Sequence, residues 1–232
     1  MAKLLLKDKL AAQRIYLILA GLFIASLVVS NLIFQKFFSW DFFGLYTFEI
    51  SVGILPYPVT FLITDIISEI YGKKKANQVV TTGIFASFFS LLIIYTADAV
   101  PATEWSPIGD ALFTKVFGAT TIAVFASMVA YLLAQYIDIQ LFHFWKRLTK
   151  GKHLWLRNNF STFLSQFVDT FSVLFLLCSF NKIEWDLFGA LLLSGFLFKV
   201  IVAAMDTPLL YASVFAFRKR FKLKQGEELK YD

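Results

Sequence analysis

Residues 14–36 read RIYLILAGLFIASLVVSNLIFQK, an apolar run whose only charged residues stand at its two ends. A membrane-spanning helix needs about 20 apolar residues, because the hydrocarbon core is about 30 Å thick and a helix rises about 1.5 Å per residue. The run is too long for a signal peptide, and no pattern of small residues typical of a cleavage site follows it. We therefore expect it to be the first span of an integral membrane protein.

Five more apolar stretches follow along the chain. The six predicted spans cover residues 14–36, 52–72, 78–97, 118–143, 160–180 and 187–217. Hydrophobic residues make up 58% of the 232 residues, so a soluble domain would have too little polar surface to cover its exterior. The whole chain, residues 1–232, is predicted to be a single all-α transmembrane domain of six helices.

The loops differ in charge on the two sides of the predicted spans. The N-terminal segment, the loops between spans two and three and between spans four and five, and the C-terminal tail together hold 18 of the 22 Lys and Arg residues. Because cytoplasmic loops carry the excess of Lys and Arg, both termini are predicted to be cytoplasmic. The net charge of +6 then indicates contact with anionic membrane lipids rather than with nucleic acid.

The sequence lacks the motifs of the common enzyme classes. It has no Walker-type phosphate loop, no GxGxxG and no GxSxG, and its two histidines do not have a metal-binding spacing. The single cysteine, Cys178, excludes an intrachain disulfide and a cysteine-based metal site. No catalytic residue, metal or cofactor is predicted, and a transporter of this sequence would not hydrolyse ATP itself.

Two acids lie inside the second span. Asp65 and Glu69 are four residues apart and so share a helix face. A charge at mid-bilayer costs about 2.5–3.5 kcal/mol on insertion scales, so each acid needs a functional or structural reason. Pro56 and Pro58 precede them and interrupt the helix, as is typical of binding sites in transporters. Both carboxylates are predicted to face a polar cavity; the alternative is that they form buried ion pairs, or that Glu69 reaches the cytoplasmic surface.

The fifth and sixth spans also carry polar groups. Gln166 and Asp169 belong to a polar stripe of the fifth span, which must face the interior of the helix bundle. Lys199 and Asp206 share a face of the sixth span, and Lys199 should pair with Asp65, Asp169 or Asp206. We expect Gln166 and Asp169 to contact substrate, and Lys199 and Asp206 to balance charge or couple transport.

Other polar residues lie near span ends. Asn31, close to the outer end of the first span, is a further candidate substrate ligand. Gln135 and Asp138, near the cytoplasmic end of the fourth span, are interpreted as helix-end residues.

A weak internal repeat divides the chain into two halves of three spans. Thr60-Phe61-Leu62 precedes Asp65 in one half, and Thr162-Phe163-Leu164 precedes Asp169 in the other, although the spacing to the aspartate differs by two residues. Halves with three spans each have opposite orientations. This is the 3+3 inverted repeat of many secondary transporters, whose substrate site lies between the halves.

The same residues carry a resemblance to a known family. The matching blocks are Asn31-x4-Lys36, PVTFLITDIISEIYG at 58–72, RNNFST at 157–162 with Gln166, Asp169 and Thr170, and Lys199 with Asp206-Thr207-Pro208. In these blocks the chain resembles the queuosine precursor transporter family, also called the vitamin uptake transporter family. The resemblance implies a six-span, multi-pass protein of the bacterial inner membrane that imports 7-deazaguanine bases or queuine for tRNA modification.

The sequence thus predicts a transporter of a nucleobase-like small molecule. A deazaguanine offers two adjacent donors, the ring N–H and the exocyclic amine, which one carboxylate can accept together. The candidate substrate ligands are Asp65, Glu69, Gln166, Asp169 and Asn31. The alternative function is a vitamin-binding membrane subunit of an ATP-driven uptake system. Which precursor is carried, the coupling ion and the formation of a homo-oligomer are left open.

Overall fold

The structure, a computed structural model, describes residues 6–34, 36–44, 46–118, 121–181 and 183–229. Its elements in chain order are α1 (Leu6–Ile33), β1 (Phe37–Phe42), β2 (Tyr46–Ser51), α2 (Tyr57–Ile70), α3 (Lys73–Asp98), α4 (Asp110–Phe113), α5 (Thr121–Leu148), α6 (Leu154–Ser179) and α7 (Phe188–Phe221). Short 3-10 turns occur at Val52–Ile54 and Trp185–Leu187, and a π-helical segment at Thr114–Gly118.

Among the residues that the structure describes, five segments are long and apolar enough to cross a membrane: Leu6–Ile33, Val52–Ile70, Lys73–Asp98, Leu154–Ser179 and Trp185–Phe221. Their outward faces expose many Leu and Phe side chains, as lipid-facing surfaces do. These features agree with a mainly helical, multi-pass membrane protein. The predicted span at 118–143 coincides with α5, a helix of 28 residues that is not one of the five. The count of six spans and their orientation therefore stay predictions.

The expectation of an all-α fold misses a β-hairpin between the first two predicted spans. Strands β1 and β2 pair antiparallel, from Phe37 opposite Ser51 to Phe42 opposite Tyr46. The buried side chains of Phe48 and Ile50 pack with Phe198 of α7. The two strands have only six residues each, and a short aromatic segment beside a span does not reveal its pairing without the partner strand.

Helix α2 is the central helix of the bundle. Pro56 and Pro58 stand at its start, where proline is tolerated, so the helix cannot extend upstream. Gly72, with φ of 83°, ends it, and the amides of Tyr71 and Gly72 both donate to the carbonyl of Ile67. Ten of its 14 residues are buried, and it packs against α1, α3, α5 and α7. At about 21 Å it is too short to cross a bilayer alone.

The main apolar core surrounds the C-terminal half of α2. Ile67 and Ile70 share one buried cluster with Phe142 of α5 and Leu210 of α7. The tail that follows α7 folds back onto this end, because the amide of Leu229 donates to the carbonyl of Ile70 at 2.7 Å and the Leu229 side chain is buried. The core thus packs around the part of α2 that carries its two acids.

Candidate functional site

A cleft opens between α2, α6 and α7. Its lining residues are Ile54, Tyr57, Pro58, Phe61, Leu62, Asp65, Asn158, Thr162, Gln166, Phe198, Lys199, Val202, Ala203 and Asp206. Four of the residues that the sequence singled out, Asp65, Gln166, Lys199 and Asp206, are among them. The fold therefore brings together polar groups from three helices that are far apart in the sequence.

Asp65 lies in the buried middle of α2 and is 3% exposed. Its carboxyl group lies within hydrogen-bonding reach of that of Asp138 on α5, and Arg157 and Asp206 are close enough to influence its charge. Asp138 is completely buried and accepts a hydrogen bond from Ser165 Oγ at 2.9 Å. A carboxylate has no proton to donate, so these two groups can bond each other only when one of them is protonated.

Lys199 forms an ion pair with Asp169 behind the cleft wall. The distance between Lys199 Nζ and Asp169 Oδ2 is 2.5 Å, and Nζ also lies 4.6 Å from the centre of the Tyr57 ring. Of the three acids predicted as partners for Lys199, the structure selects Asp169. Lys199 lines the cleft, whereas Asp169 is not among the described lining residues. The ion pair with Asp169 therefore fixes the position of the Lys199 ammonium group in the cleft. The pairing offsets much of the cost of burying both charges.

The remaining polar groups of the cleft stand beside aromatic walls. Gln166 is 4% exposed, and its side-chain Oε1 has no hydrogen-bond partner in the part of the chain that the structure describes. Asp206 is only partly buried, so its carboxylate is accessible from the cleft. Phe61 and Phe198 contribute flat apolar surfaces. Aromatic faces with carboxyl and amide groups at the edge suit a planar ring that has polar substituents.

Glu69 occupies a different environment, one turn further along α2. Its carboxylate pairs with Arg157 at 2.6 Å, Arg218 at 2.5 Å and Lys146 at 3.5 Å. Lys146 also contacts Glu228 of the C-terminal tail at 2.8 Å. Glu69 is fully buried and does not belong to the described lining of the cleft. The structure therefore favours the buried ion pairs that the sequence left as the alternative, rather than contact of Glu69 with substrate.

Asn31 lies in a second cleft, which the structure does not join to the first. Its lining comes from α1, α3, the π-helical segment and α5: Val28, Asn31, Leu32, Ser87, Ser90, Leu91, Ile94, Val116, Phe117 and Met128. Asn31 stood out in the sequence because it is a polar residue in an apolar helix. The sequence of such a helix does not show which neighbouring helix each of its faces contacts. The expected grouping of Asn31 with Asp65 is not observed.

The interpretation of Gln135 and Asp138 as helix-end residues is wrong. Helix α5 continues to Leu148, and both side chains are completely buried. Gln135 Oε1 accepts a hydrogen bond from Thr64 of α2 at 3.2 Å, so the two residues face the central helix. A signal was present in the sequence, because Gln135 and Asp138 repeat the Gln-x-x-Asp spacing that Gln166 and Asp169 show on α6.

Comparison with known proteins adds independent information. Residues 51–213 match the family model described as "Putative vitamin uptake transporter". A protein of Bacillus subtilis (strain 168) named "Probable queuosine precursor transporter" is 28% identical over 175 residues, which cover 75% of this chain and 74% of that protein. No solved structure matches the chain. The family match includes every described residue that lines the first cleft.

Proposed function

The chain belongs to the vitamin uptake transporter family, and from that premise we propose that it imports a queuosine precursor across the bacterial inner membrane. The precursor is a 7-deazaguanine base or queuine, which the cell uses for tRNA modification. The name of the Bacillus relative supports this substrate class. The observation that carries the proposal is the cleft, in which two carboxyl groups, two side-chain amides and two phenyl rings from three helices surround a space open to a small molecule.

The recognition chemistry follows from the edge of a deazaguanine. Asp65 and Asp206 are the carboxyl groups of the cleft, and an ionised one accepts the ring N–H and the exocyclic amine together. Gln166 Nε2 donates to the ring carbonyl, and Phe61 and Phe198 stack on the ring faces. If the precursor carries an aminomethyl cation, the second carboxylate pairs with it.

The proposal includes six spans with cytoplasmic termini and a 3+3 inverted repeat. The Lys and Arg bias of the loops and the length of α5 support the six spans. Helices α2 and α6 are the second helices of the two halves, and both line the cleft, as expected for a site between inverted repeats. Alternating access then exposes the cleft to each side in turn.

The test is rescue of queuosine in a bacterial strain that can neither make nor import its precursors. The chain is expressed in this strain, single precursors are supplied, and queuosine is measured in tRNA. We expect one precursor to restore queuosine, and Asp65→Asn to abolish the rescue at equal protein level, because asparagine presents an amide NH2 donor where the second acceptor oxygen stood. Asp186→Asn, at an exposed position, is the matched control and should rescue fully.

Two results would contradict the proposal. The first is failure of every precursor to restore queuosine while the protein is present in the membrane. The second is rescue that appears only when an ATPase module is expressed with the chain, which would identify a subunit of an ATP-driven system.

A further inference from the structure

Asp65 and Asp138 form a buried carboxyl pair between α2 and α5. Asp65 lines the cleft, whereas Asp138 lies behind it and is not part of its described lining. The two groups share a hydrogen bond, and no ordinary donor among the described residues bonds Asp65 Oδ1 or Asp138 Oδ2. Two carboxylates in buried contact repel each other strongly and cannot both stay ionised while water is excluded from them. The pair therefore holds one proton as long as water does not reach it.

The surrounding hydroxyl groups decide which carboxyl group carries that proton. Ser165 Oγ donates to Asp138 at 2.9 Å, and the hydroxyls of Ser161 and Thr162 also lie beside the Asp138 carboxyl. Hydrogen bonds from hydroxyls stabilise an ionised carboxylate. No comparable donor faces Asp65 in the described part of the chain, so the proton resides on Asp65 and is donated to Asp138.

The charged groups around the pair act in opposite directions. Arg157 of α6 faces Asp65 and favours its ionised form, although its guanidinium group is also bonded to Glu69 at 2.6 Å. Asp206 of α7 adds negative charge on the side of the cleft. Within the described part of the chain, the hydroxyls of Tyr57 and Tyr131 also lie near enough to interact with Asp138.

Building on the proposed transport function, we propose that the pair of Asp65 and Asp138 binds one proton together with each substrate molecule and so couples uptake to the proton gradient. When the substrate N–H groups approach Asp65, the O–H bond of Asp65 breaks, and its electron pair stays on Asp65. The proton forms an O–H bond with Asp138 across the existing hydrogen bond. Asp65 is then a carboxylate that accepts the two substrate donors.

Proton binding and substrate binding are coupled because substrate controls the access of water to the carboxyl pair. A bound substrate covers the cleft side of Asp65 and removes the water that could solvate a second negative charge, so the loaded site must keep the proton. An empty cleft admits water, and the pair can then release the proton to the cytoplasm. Substrate and proton therefore raise each other's affinity, which is the requirement for coupled uptake.

The experiment uses the purified full chain in liposomes with the membrane potential clamped to zero. The probe is radiolabelled queuine or 7-aminomethyl-7-deazaguanine, whichever restores queuosine in cells. With the interior about one pH unit more alkaline, one proton per substrate sustains up to about tenfold accumulation. Asp138→Asn should still exchange labelled for unlabelled substrate, because its amide donates to the Asp65 carboxylate as the protonated acid would. It should not accumulate substrate, because the amide binds and releases no proton. Asp186→Asn should accumulate substrate as the unmodified protein does.

The outcomes separate this inference from the transport function. Three results would overturn the proton coupling and leave the transport function intact. They are exchange without accumulation by the unmodified protein, accumulation by Asp138→Asn, and accumulation driven by a sodium gradient at equal pH. Absence of exchange together with absence of rescue in cells overturns the transport function itself.

A second variant covers the case in which Asp138→Asn does not fold. Ser165→Ala keeps both carboxyl groups and removes one donor to the ionised Asp138. The pair should then hold its proton up to a higher pH, so accumulation should persist further into the alkaline range. An unshifted pH profile would overturn the inference.

Discussion

Asp65 and Glu69 stand one helical turn apart on α2, yet their surroundings divide them into two roles. Asp65 faces the cleft and shares a hydrogen bond with another acid, Asp138. Glu69 is enclosed by cations, of which Arg157 and Arg218 approach within 2.6 Å. The same carboxyl chemistry therefore serves ion pairing between helices at Glu69 and, in our proposal, substrate and proton binding at Asp65, because neighbouring helices supply different partners.

Replacement of Gln166 by leucine should weaken substrate binding with little effect on folding. The variant loses one hydrogen bond to substrate, worth about 1 kcal/mol, so the concentration for half-maximal uptake should rise roughly fivefold. Gln78→Leu, at an exposed site on α3, is the matched control and should not change it. Equal half-maximal concentrations for the two variants would show that Gln166 does not contact the substrate.

Loss of one partner of the Asp169–Lys199 ion pair should destabilise the protein more than loss of both partners. Asp169→Asn leaves the ammonium group of Lys199 buried without its partner, which costs about 3–5 kcal/mol. The double variant Asp169→Asn with Lys199→Met should unfold at a higher temperature than Asp169→Asn alone. The measurement is the thermal unfolding midpoint in detergent. Additive losses in the double variant would contradict the pairing.

At the scale of the elements, the hairpin and the 3-10 turn stand next to the short helix that carries Asp65. Strands β1 and β2 and the turn Val52–Ile54 directly precede α2 in the chain. Ile54 and Phe198 then connect the packing of the hairpin with the wall of the cleft. We infer that the hairpin sets the position of α2 relative to α7.

Close packing between α1 and α3 depends on Gly83. A Cβ atom at this position would lie 2.8 Å from Phe23 Cε1 and 3.0 Å from Leu27 Cδ2, and both side chains are buried. Gly83→Ala should therefore lower the unfolding midpoint, although alanine favours a helix interior by about 1 kcal/mol over glycine. Gly21→Ala is the matched control, since nothing lies within 4 Å of its Cβ position, and it should raise the midpoint. A rise in both variants would contradict the contact.

At the scale of the whole molecule, the orientation can be tested on both sides of α5. In a Cys178→Ala background, single cysteines replace Glu104, in the loop before α4, and Lys152, in the loop after α5; both positions are exposed. A membrane-impermeant maleimide should label the cysteine at 104 in intact spheroplasts and the one at 152 only after permeabilisation, because α5 separates the two loops. Labelling of both in intact spheroplasts would show that α5 does not cross.

Much of the candidate site could be predicted from the sequence because charged and amide side chains are rare in an apolar helix. Asp65, Gln166, Lys199 and Asp206 stood out for this reason, and all four line one cleft. The assignment of partners could not be predicted. Lys199 had three candidate acids, and Asp138 was placed at a helix end, because a linear spacing defines faces on one helix but not the faces of the helices around it.

The sequence by itself determined the class of this protein, its membrane-spanning character and the residues with reason to be functional. These follow from local composition, since lipid demands long apolar helices whatever their neighbours are. The tertiary structure alone decided that Asp65 meets Asp138, that Glu69 is held by cations, that Asn31 belongs to another cleft and that a hairpin precedes α2. Contacts between distant residues depend on the packing of whole helices, and the apolar periodicity of a membrane helix does not encode which face meets which neighbour.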